Sequence, residues 1–184
     1  SIGRSSGKSS VASAAYRAGE KLYDQNDNMT HDFTKKQGVY KSKIMLPDNA
    51  PESLKDRGIL WNEIEKAETR VNASLAKEYQ LSLPQELSHD EKVRIATEFA
   101  QEQFVDKGLG VDIAFHDFDS KNPHCHIMTT TRLIDKKGLD MGKKPVFFRE
   151  RRYLIDLRKD WEHSVNKGLE KNGIEERVTA DSYR

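Results

Sequence analysis

Apolar and polar residues alternate along two neighbouring stretches joined by a turn-forming run, and that pattern predicts a β-hairpin. Over residues 111–116, Val111, Ile113 and Phe115 are interleaved with Asp112, Ala114 and His116, the period of a strand with one buried face. The run DSKNP (119–123) supplies the turn. The second arm, HCHIMTTT, then puts His124, His126 and Met128 on one side and Cys125, Ile127 and Thr129 on the other. If Phe115 and Ile127 share the core face, His116, His124 and His126 all project from the opposite one. LAKEYQLSLP alternates in the same way, with Tyr79, Leu81 and Leu83 on one face and Glu78, Gln80 and Ser82 on the other. Residues 31–47 read as extended up to Pro47, partly buried through Tyr40, Ile44 and Leu46.

Helical periods account for most of the remainder. Ser9 or Ser10 can cap a helix that continues through VASAAYRAGEKLY, whose small residues allow close packing and leave the Tyr16 hydroxyl accessible. DNAPESLKDRG begins a second helix, with Asp48 or Asn49 as cap, Pro51 near its first turn, and Leu54, Trp61, Ile64 and Val71 as its stripe. Trp61 reads as a core residue. SHDE (88–91) has the form of a capping box and opens a third helix carrying Val93, Ala96, Phe99, Ala100 and Phe104. Past the glycine-rich LIDKKGLDMGKKP loop, a long helix runs from about Phe147 to Lys171 on Leu154, Leu157, Trp161, Val165 and Leu169, stopped by Asn172-Gly173. The tail IEERVTADSYR adds a short strand or crosses the surface. His89 and His163 read as surface residues. This order predicts an α+β domain: an antiparallel sheet of about five strands, helices on its apolar face, and an open polar face carrying Glu78 and the three histidines.

Composition narrows the setting. A chain of 184 residues fits one domain spanning 1–184, with no repeats and no internal boundary. No run is long enough to span a membrane, and SIGRSSGKSS lacks the apolar core of a signal peptide. A single cysteine, Cys125, rules out an internal disulfide and fits a reducing, cytoplasmic compartment. The formal net charge of +1 does not announce a nucleic-acid partner, but the basic residues are gathered locally. Arg4, Lys8 and Arg17 lie near Tyr16, and Lys143, Lys144, Arg149, Arg151 and Arg152 form a second group; both are candidates for phosphate contacts. GRSSGKSS does not read as a phosphate loop, because only three residues separate its first glycine from the Gly-Lys pair and only two residues precede Gly3 here.

Three imidazoles converging from paired strands form a candidate metal centre with positions left open for substrate. Cys125, on the other strand face, is a poor fourth ligand. Histidine ligation by itself suits Zn²⁺, Mn²⁺ or Ni²⁺ better than Mg²⁺.

The ordered set SAAYR around Tyr16, DFTKKQG from Asp32, LP before DNAP, LAKE ending at Glu78, LPQEL from Leu83, NPHCHIMTTTR from Asn122 and RVTADSY near the end resembles the MobA/MobL family of plasmid relaxases, among the HUH endonucleases. The resemblance implies a five-stranded antiparallel fold and metal-dependent nicking of one DNA strand at an origin of transfer through a 5′-phosphotyrosine, with rejoining. It implies Tyr16 as nucleophile, His116, His124 and His126 as ligands of Mn²⁺ or Mg²⁺, and Glu78 as the supporting acid. Glu78 would act as the base for the phenol or, the reading preferred here, accept an imidazole N–H. The implied partners are single-stranded DNA with an adjacent hairpin, accessory relaxosome proteins and a type IV secretion coupling protein. The chain would be the N-terminal part of a longer protein. Family members carry a short apolar strand ahead of the SIGRSSG-like loop, and this chain starts at Ser1; a sheet lacking that strand would be weakened. Rolling-circle initiators and HUH transposases share the chemistry, but by family resemblance place the tyrosine after the histidines. A histidine-metal hydrolase using activated water and a non-catalytic DNA-binding module are the readings of other classes.

Overall fold

The computed structural model describes residues 1–183. Its centre is the hairpin read from the alternation. Strands β6 (Leu109–His116) and β7 (His124–Asp135) pair antiparallel, with Phe115 opposite Cys125, His116 opposite His124 and Ala114 opposite His126. Six other strands are β1 (Ile2–Gly3), β2 (Lys21–Asp24), β3 (Met29–Asp32), β4 (Val39–Met45), β5 (Ser74–Ser82) and β8 (Gly138–Leu139). The main sheet runs β1-β5-β7-β6-β4 with every neighbouring pair antiparallel, and β8 folds back on the end of β7. The four α-helices are α1 (Ser10–Ala18), α2 (Arg57–Ala67), α3 (His89–Ala100) and α4 (Arg151–Lys171). None is long and apolar enough to cross a membrane.

The residues assigned to the core face do pack there. Val111, Ile113, Phe115, Cys125 and Ile127 join Phe99 and Ala96 of α3 and Leu157, Trp161, Val165 and Leu169 of α4 in one cluster. The α+β class and the antiparallel sheet are as expected; the histidine face is less open. Val11 and Ala14 of α1 and Leu60, Trp61 and Ile64 of α2 form a second cluster with Ile2, Leu75, Ala76 and Met128. Helices therefore cover part of both faces, and every residue of β6 is buried. Strand alternation reveals which residues share a face, not whether a helix lies over it.

Several element limits differ from the sequence reading, each for a local reason. Helix α1 stops at Ala18 because Gly19 takes a left-handed conformation at φ 66°. KLYD then turns out of the helix into β2, which pairs with β3 in a separate two-stranded ribbon. Helix α2 begins later than expected, at Arg57, where Asp56 accepts a hydrogen bond from Ile59 N–H. Residues Glu52–Lys55 form only a 3-10 turn, and Val71, 77% exposed, lies beyond the helix end. Half of the expected α3 capping box forms: Ser88 accepts from Glu91 N–H, while the Glu91 carboxylate turns to Arg94 and Asn172. Helix α4 starts at Arg151 after a 3-10 turn at Phe147–Arg149, and Leu154 is exposed, one helical turn before the buried stripe begins. The tail makes a 3-10 turn at Ala180–Tyr183 and, among the described residues, no strand. At the other end, Ile2 and Gly3 pair with Ala76 and Ser74, so the SIGRSSG segment itself supplies a short strand beside β5.

Candidate metal centre and nucleophile

The hairpin register presents the three imidazoles together. One ligand atom from each of His116, His124 and His126 lies within 4.8 Å of the others, and the ring centroids are 4.8 to 5.4 Å apart. Backbone carbonyls hold two of the rings. His124 Nδ1 faces Asn122 O at 2.8 Å, with an Asp117 carboxylate oxygen 3.9 Å away, and His116 Nε2 faces Arg17 O at 2.6 Å. A nitrogen facing a carbonyl must carry the proton, so in each neutral ring the other nitrogen keeps its lone pair. Burial lowers the His116 pKa. Burial, reinforced by the charge of Arg17, pushes His126 down to about 3. Both rings are thus kept in the form that binds a metal.

The donor set fits a divalent cation held by three imidazoles. Cys125 does not complete it: the thiol is buried in the opposite core, and burial pushes its pKa up. The protein therefore leaves coordination positions open to water or substrate. A second group, Asp24, Asp27 and His31, also gathers its oxygen and nitrogen atoms within 4.8 Å. Its members have structural partners. Asp24 accepts from Ser9 Oγ at the α1 cap and from Asn26 N–H, and Asp27 pairs with His31 at 3.1 Å.

Helix α1 meets the histidine cluster through its backbone. Its last turn supplies the Arg17 carbonyl that His116 bonds, one residue after Tyr16. The Tyr16 side chain is 44% exposed, in contact with the edge of Phe33 at 5.2 Å between ring centroids. It opens onto a cavity of about 410 Å³ that is also lined by Lys8, Arg17, His31 and Glu78.

Glu78 lies on the polar face of β5 as expected, but its partner is not an imidazole. Its Oε1 accepts from Arg17 Nη2 at 3.0 Å. The Arg17 Nε is buried without a hydrogen-bond partner, so the guanidinium has donor capacity to spare beside Tyr16 and His126. The other basic candidates divide. Lys8 is exposed at the Tyr16 cavity. Arg4 donates from two nitrogens to Glu65 and to the carbonyls of Glu65 and Glu68, joining the first loop to α2. Lys144 is tied to Glu68 at 2.9 Å and to Ser74 O. Lys143, Lys144 and Arg149 surround a separate cleft of about 580 Å³ with Arg70 and Arg132. Arg151 and Arg152 are exposed on α4, Arg152 beside Asp156.

The sequence reading missed the device that joins the helical layer to the histidine strand. Buried Asp112 accepts from Arg57 Nε at 2.8 Å, Arg57 Nη2 at 2.9 Å and Trp61 Nε1 at 2.9 Å, while Arg57 Nη1 reaches Glu20 just past α1. A carboxylate on the histidine face of a strand was the available signal. The reading also gave no role to Phe33 or Lys36, although both lie in the DFTKKQG run; Lys36 Nζ sits 3.6 Å from the centroid of the Tyr16 ring.

Fold and site together define an α+β domain with a sheet-borne cluster of three histidines that could hold a metal ion, and a solvent-accessible tyrosine on the helix whose backbone that cluster contacts. The chain belongs to the MobA/MobL family, whose model matches residues 8–184. It is similar to conjugal transfer protein TraA of Rhizobium radiobacter, at 29% identity over 99% of this chain and 19% of that protein. Mobilization protein MobL of Acidithiobacillus ferridurans is 29% identical over 99% of this chain and 56% of its own length. A solved chain from "Molecular Basis of Vancomycin Resistance Transfer in Staphylococcus aureus" superposes with a TM-score of 0.90 at 34% identity, covering 99% of this chain and 95% of that one. The chain spans about a fifth of the TraA protein and just over half of MobL.

Proposed function

We propose that this chain is the nicking domain of a plasmid conjugation or mobilisation relaxase, cutting one DNA strand at an origin of transfer and later rejoining it. The observation that carries the reading is the bond between His116 and the Arg17 carbonyl, which joins the helix bearing Tyr16 to the three-histidine pocket. Tyr16 Oη attacks the scissile phosphorus, the P–O3′ bond breaks, and the products are a 5′-phosphotyrosine and a free 3′-hydroxyl. The phenol proton passes to water at the open side of the ring, and the departing 3′-oxygen takes one up. Arg17, held by Glu78, faces the phosphate and offsets its charge. Glu78 thereby acts through Arg17. His116, His124 and His126 hold the divalent ion, Mn²⁺ or Mg²⁺, which when bound supplies Lewis-acid stabilisation of the phosphate. Because the phosphotyrosine retains a phosphodiester, attack by a 3′-hydroxyl reverses the step.

Single-stranded DNA with an adjacent hairpin is the proposed substrate. Lys8 near the tyrosine, and Lys143, Arg149, Arg151 and Arg152 further off, are the proposed backbone contacts, with Arg4 and Lys144 giving part of their capacity to internal partners. Accessory relaxosome proteins and a type IV secretion coupling protein complete the proposed setting, in the cytoplasm, with this domain forming the N-terminal part of a longer protein. The decisive experiment incubates the protein and Mn²⁺ with a labelled single-stranded oligonucleotide spanning the cognate origin of transfer, followed by a denaturing gel. A protein-linked 3′-side fragment from wild type, absent with Tyr16→Phe, is the expected result. Equal cleavage by both proteins without an adduct would instead establish a hydrolase using activated water.

A further inference from the structure

Between β3 and β4, residues 33–38 cross directly over the tyrosine, pinned at both ends. Phe33 N–H donates to Glu20 O just past the end of α1, and Gly38 O accepts from Asp117 N–H, the residue after His116. Lys36 N–H donates to Phe33 O, closing a turn that directs the lysine back toward α1. Its ammonium meets Tyr16 twice: Nζ donates to the Tyr16 carbonyl at 2.8 Å and lies over the ring, 3.6 Å from its centroid. With Phe33 edge-on at 88°, the ring is fixed by two groups from one short segment. The ammonium is half-buried beside Arg17, and burial followed by that like charge lowers its pKa. The fold thus holds a cation against this ring at an electrostatic cost, whereas an exposed lysine gains little from such a contact.

We propose that Lys36 is a positioning residue for the nucleophile: its ammonium fixes the Tyr16 ring and backbone and keeps a positive charge beside the phenol as a phosphate approaches. The inference rests on the reading of Tyr16 as nucleophile. It accounts for a ring that is 44% exposed on the surface of a helix yet held in one place. Lys36 does not bond the substrate, so its effect falls on the rate of attack and not on DNA affinity.

The test compares Lys36→Met, which keeps the stem and removes the charge, with Lys36→Arg, which keeps a cation able to lie on the ring. Single-turnover adduct formation is measured with Mn²⁺ across a range of DNA concentrations. The expected result is a rate constant lowered roughly ten-fold in Lys36→Met, the size of a partly desolvated cation–π contact. Half-saturation should stay within about two-fold, and Lys36→Arg should recover most of the loss. A wild-type rate in Lys36→Met, equal losses in both variants, or a change in half-saturation alone would overturn the proposal; the last would make Lys36 a DNA contact. Proton NMR of the DNA-free protein supplies a separate readout. The Lys36 εCH₂ protons should be shifted upfield by the Tyr16 ring and return to the free-lysine position in Tyr16→Ala. An unshifted wild-type signal refutes the contact whatever the activity. Failure of wild type to form any adduct, with the NMR shift present, would refute the nicking reading and leave the contact standing.

Discussion

Replacing Arg57 by methionine tests how α2, and through Glu20 the end of α1, is joined to the histidine strand. The side chains of Arg57 and Asp112 are 7% and 3% exposed. Burial pushes the Asp112 carboxyl upward, opposed by the Arg57 bonds and the Trp61 N–H. Burial also works against the Arg57 charge, but the bonds and charges of Asp112 and Glu20 outweigh it and raise its pKa. With three donors at 2.8 to 2.9 Å around the carboxylate, the pair is ionised. Arg57→Met fills most of the stem volume but leaves Asp112 with the indole N–H alone. Removing one partner of a buried pair costs about 3–5 kcal/mol; the half-exposed Glu20 contact adds little. At about 2–4 °C per kcal/mol for a domain of this size, the melting temperature should fall by roughly 6–20 °C. Urea unfolding followed by circular dichroism at pH 7 measures the loss. The deficit should shrink toward pH 4: without Arg57 the folded carboxyl ionises well above its unfolded value, so protonation favours the folded variant as pH falls. A loss under about 1 kcal/mol, or one independent of pH, would refute the argument.

Acid sensitivity follows from His126, whose folded pKa of about 3 lies below its ordinary 6.5. The unfolded chain takes the proton first, so metal-free protein should lose stability as pH falls from 6.5 toward about 3. Unfolding midpoints of wild type and His126→Gln should converge between pH 7 and 5; parallel curves would sink the assignment. Cys125, buried and with its thiol pushed up, should not react with a disulfide reagent until the protein is denatured; rapid native labelling would contradict its placement. Gly38 sits at φ 87°, and an added Cβ would collide with Asp117 Oδ1. Gly38→Ala should therefore cost about 1–3 kcal/mol in urea unfolding, and a neutral result would show that the 33–38 segment tolerates displacement. Mn²⁺ should raise the melting temperature of wild type and lose that effect in His124→Ala; an unchanged shift would place the ion elsewhere.

Much of the site was legible because strand alternation has a period of two: spacing put His124 and His126 on one face and Cys125 on the other, and a core face shared by Phe115 and Ile127 brought His116 to the same side. Glu78 was assigned to that face by the same rule. Its partner was not legible: the β5–β7 register sets Glu78 opposite Met128 and Gln80 opposite His126, and Arg17 arrives from a helix 61 residues earlier in the chain. The ribbon of β2 and β3 was missed because KLY is compatible with a helix, and only the left-handed turn at Gly19 separates the two. Lys36 was invisible for a related reason. A lysine in a charged turn reads as solvated, and nothing local says that a tyrosine twenty residues away lies beneath it.

These misses share a cause with the way the site is held together. The histidines are placed by sheet register, which a side-chain substitution on one strand scarcely moves, whereas Tyr16 is placed by contacts between layers. Beside the apolar packing of Val11 and Ala14, the polar contacts around its end of the helix include His116 to the Arg17 carbonyl, Glu78 to Arg17, Glu20 through Arg57 to Asp112, and the 33–38 segment. Asp112 and His116 lie four residues apart on the same strand; the His116 bond fixes α1 to that strand directly, whereas the Arg57 pair fixes α2 to it and reaches the end of α1 through Glu20. Weakening the Arg57 pair should therefore lower the rate of attack by Tyr16 more than it lowers metal affinity, because the helix moves while the imidazoles stay in register. In Arg57→Met assayed at a temperature where it remains folded, adduct formation should slow with Mn²⁺ affinity near that of wild type. A parallel loss of both would mean that the histidine pocket itself depends on the helical layer.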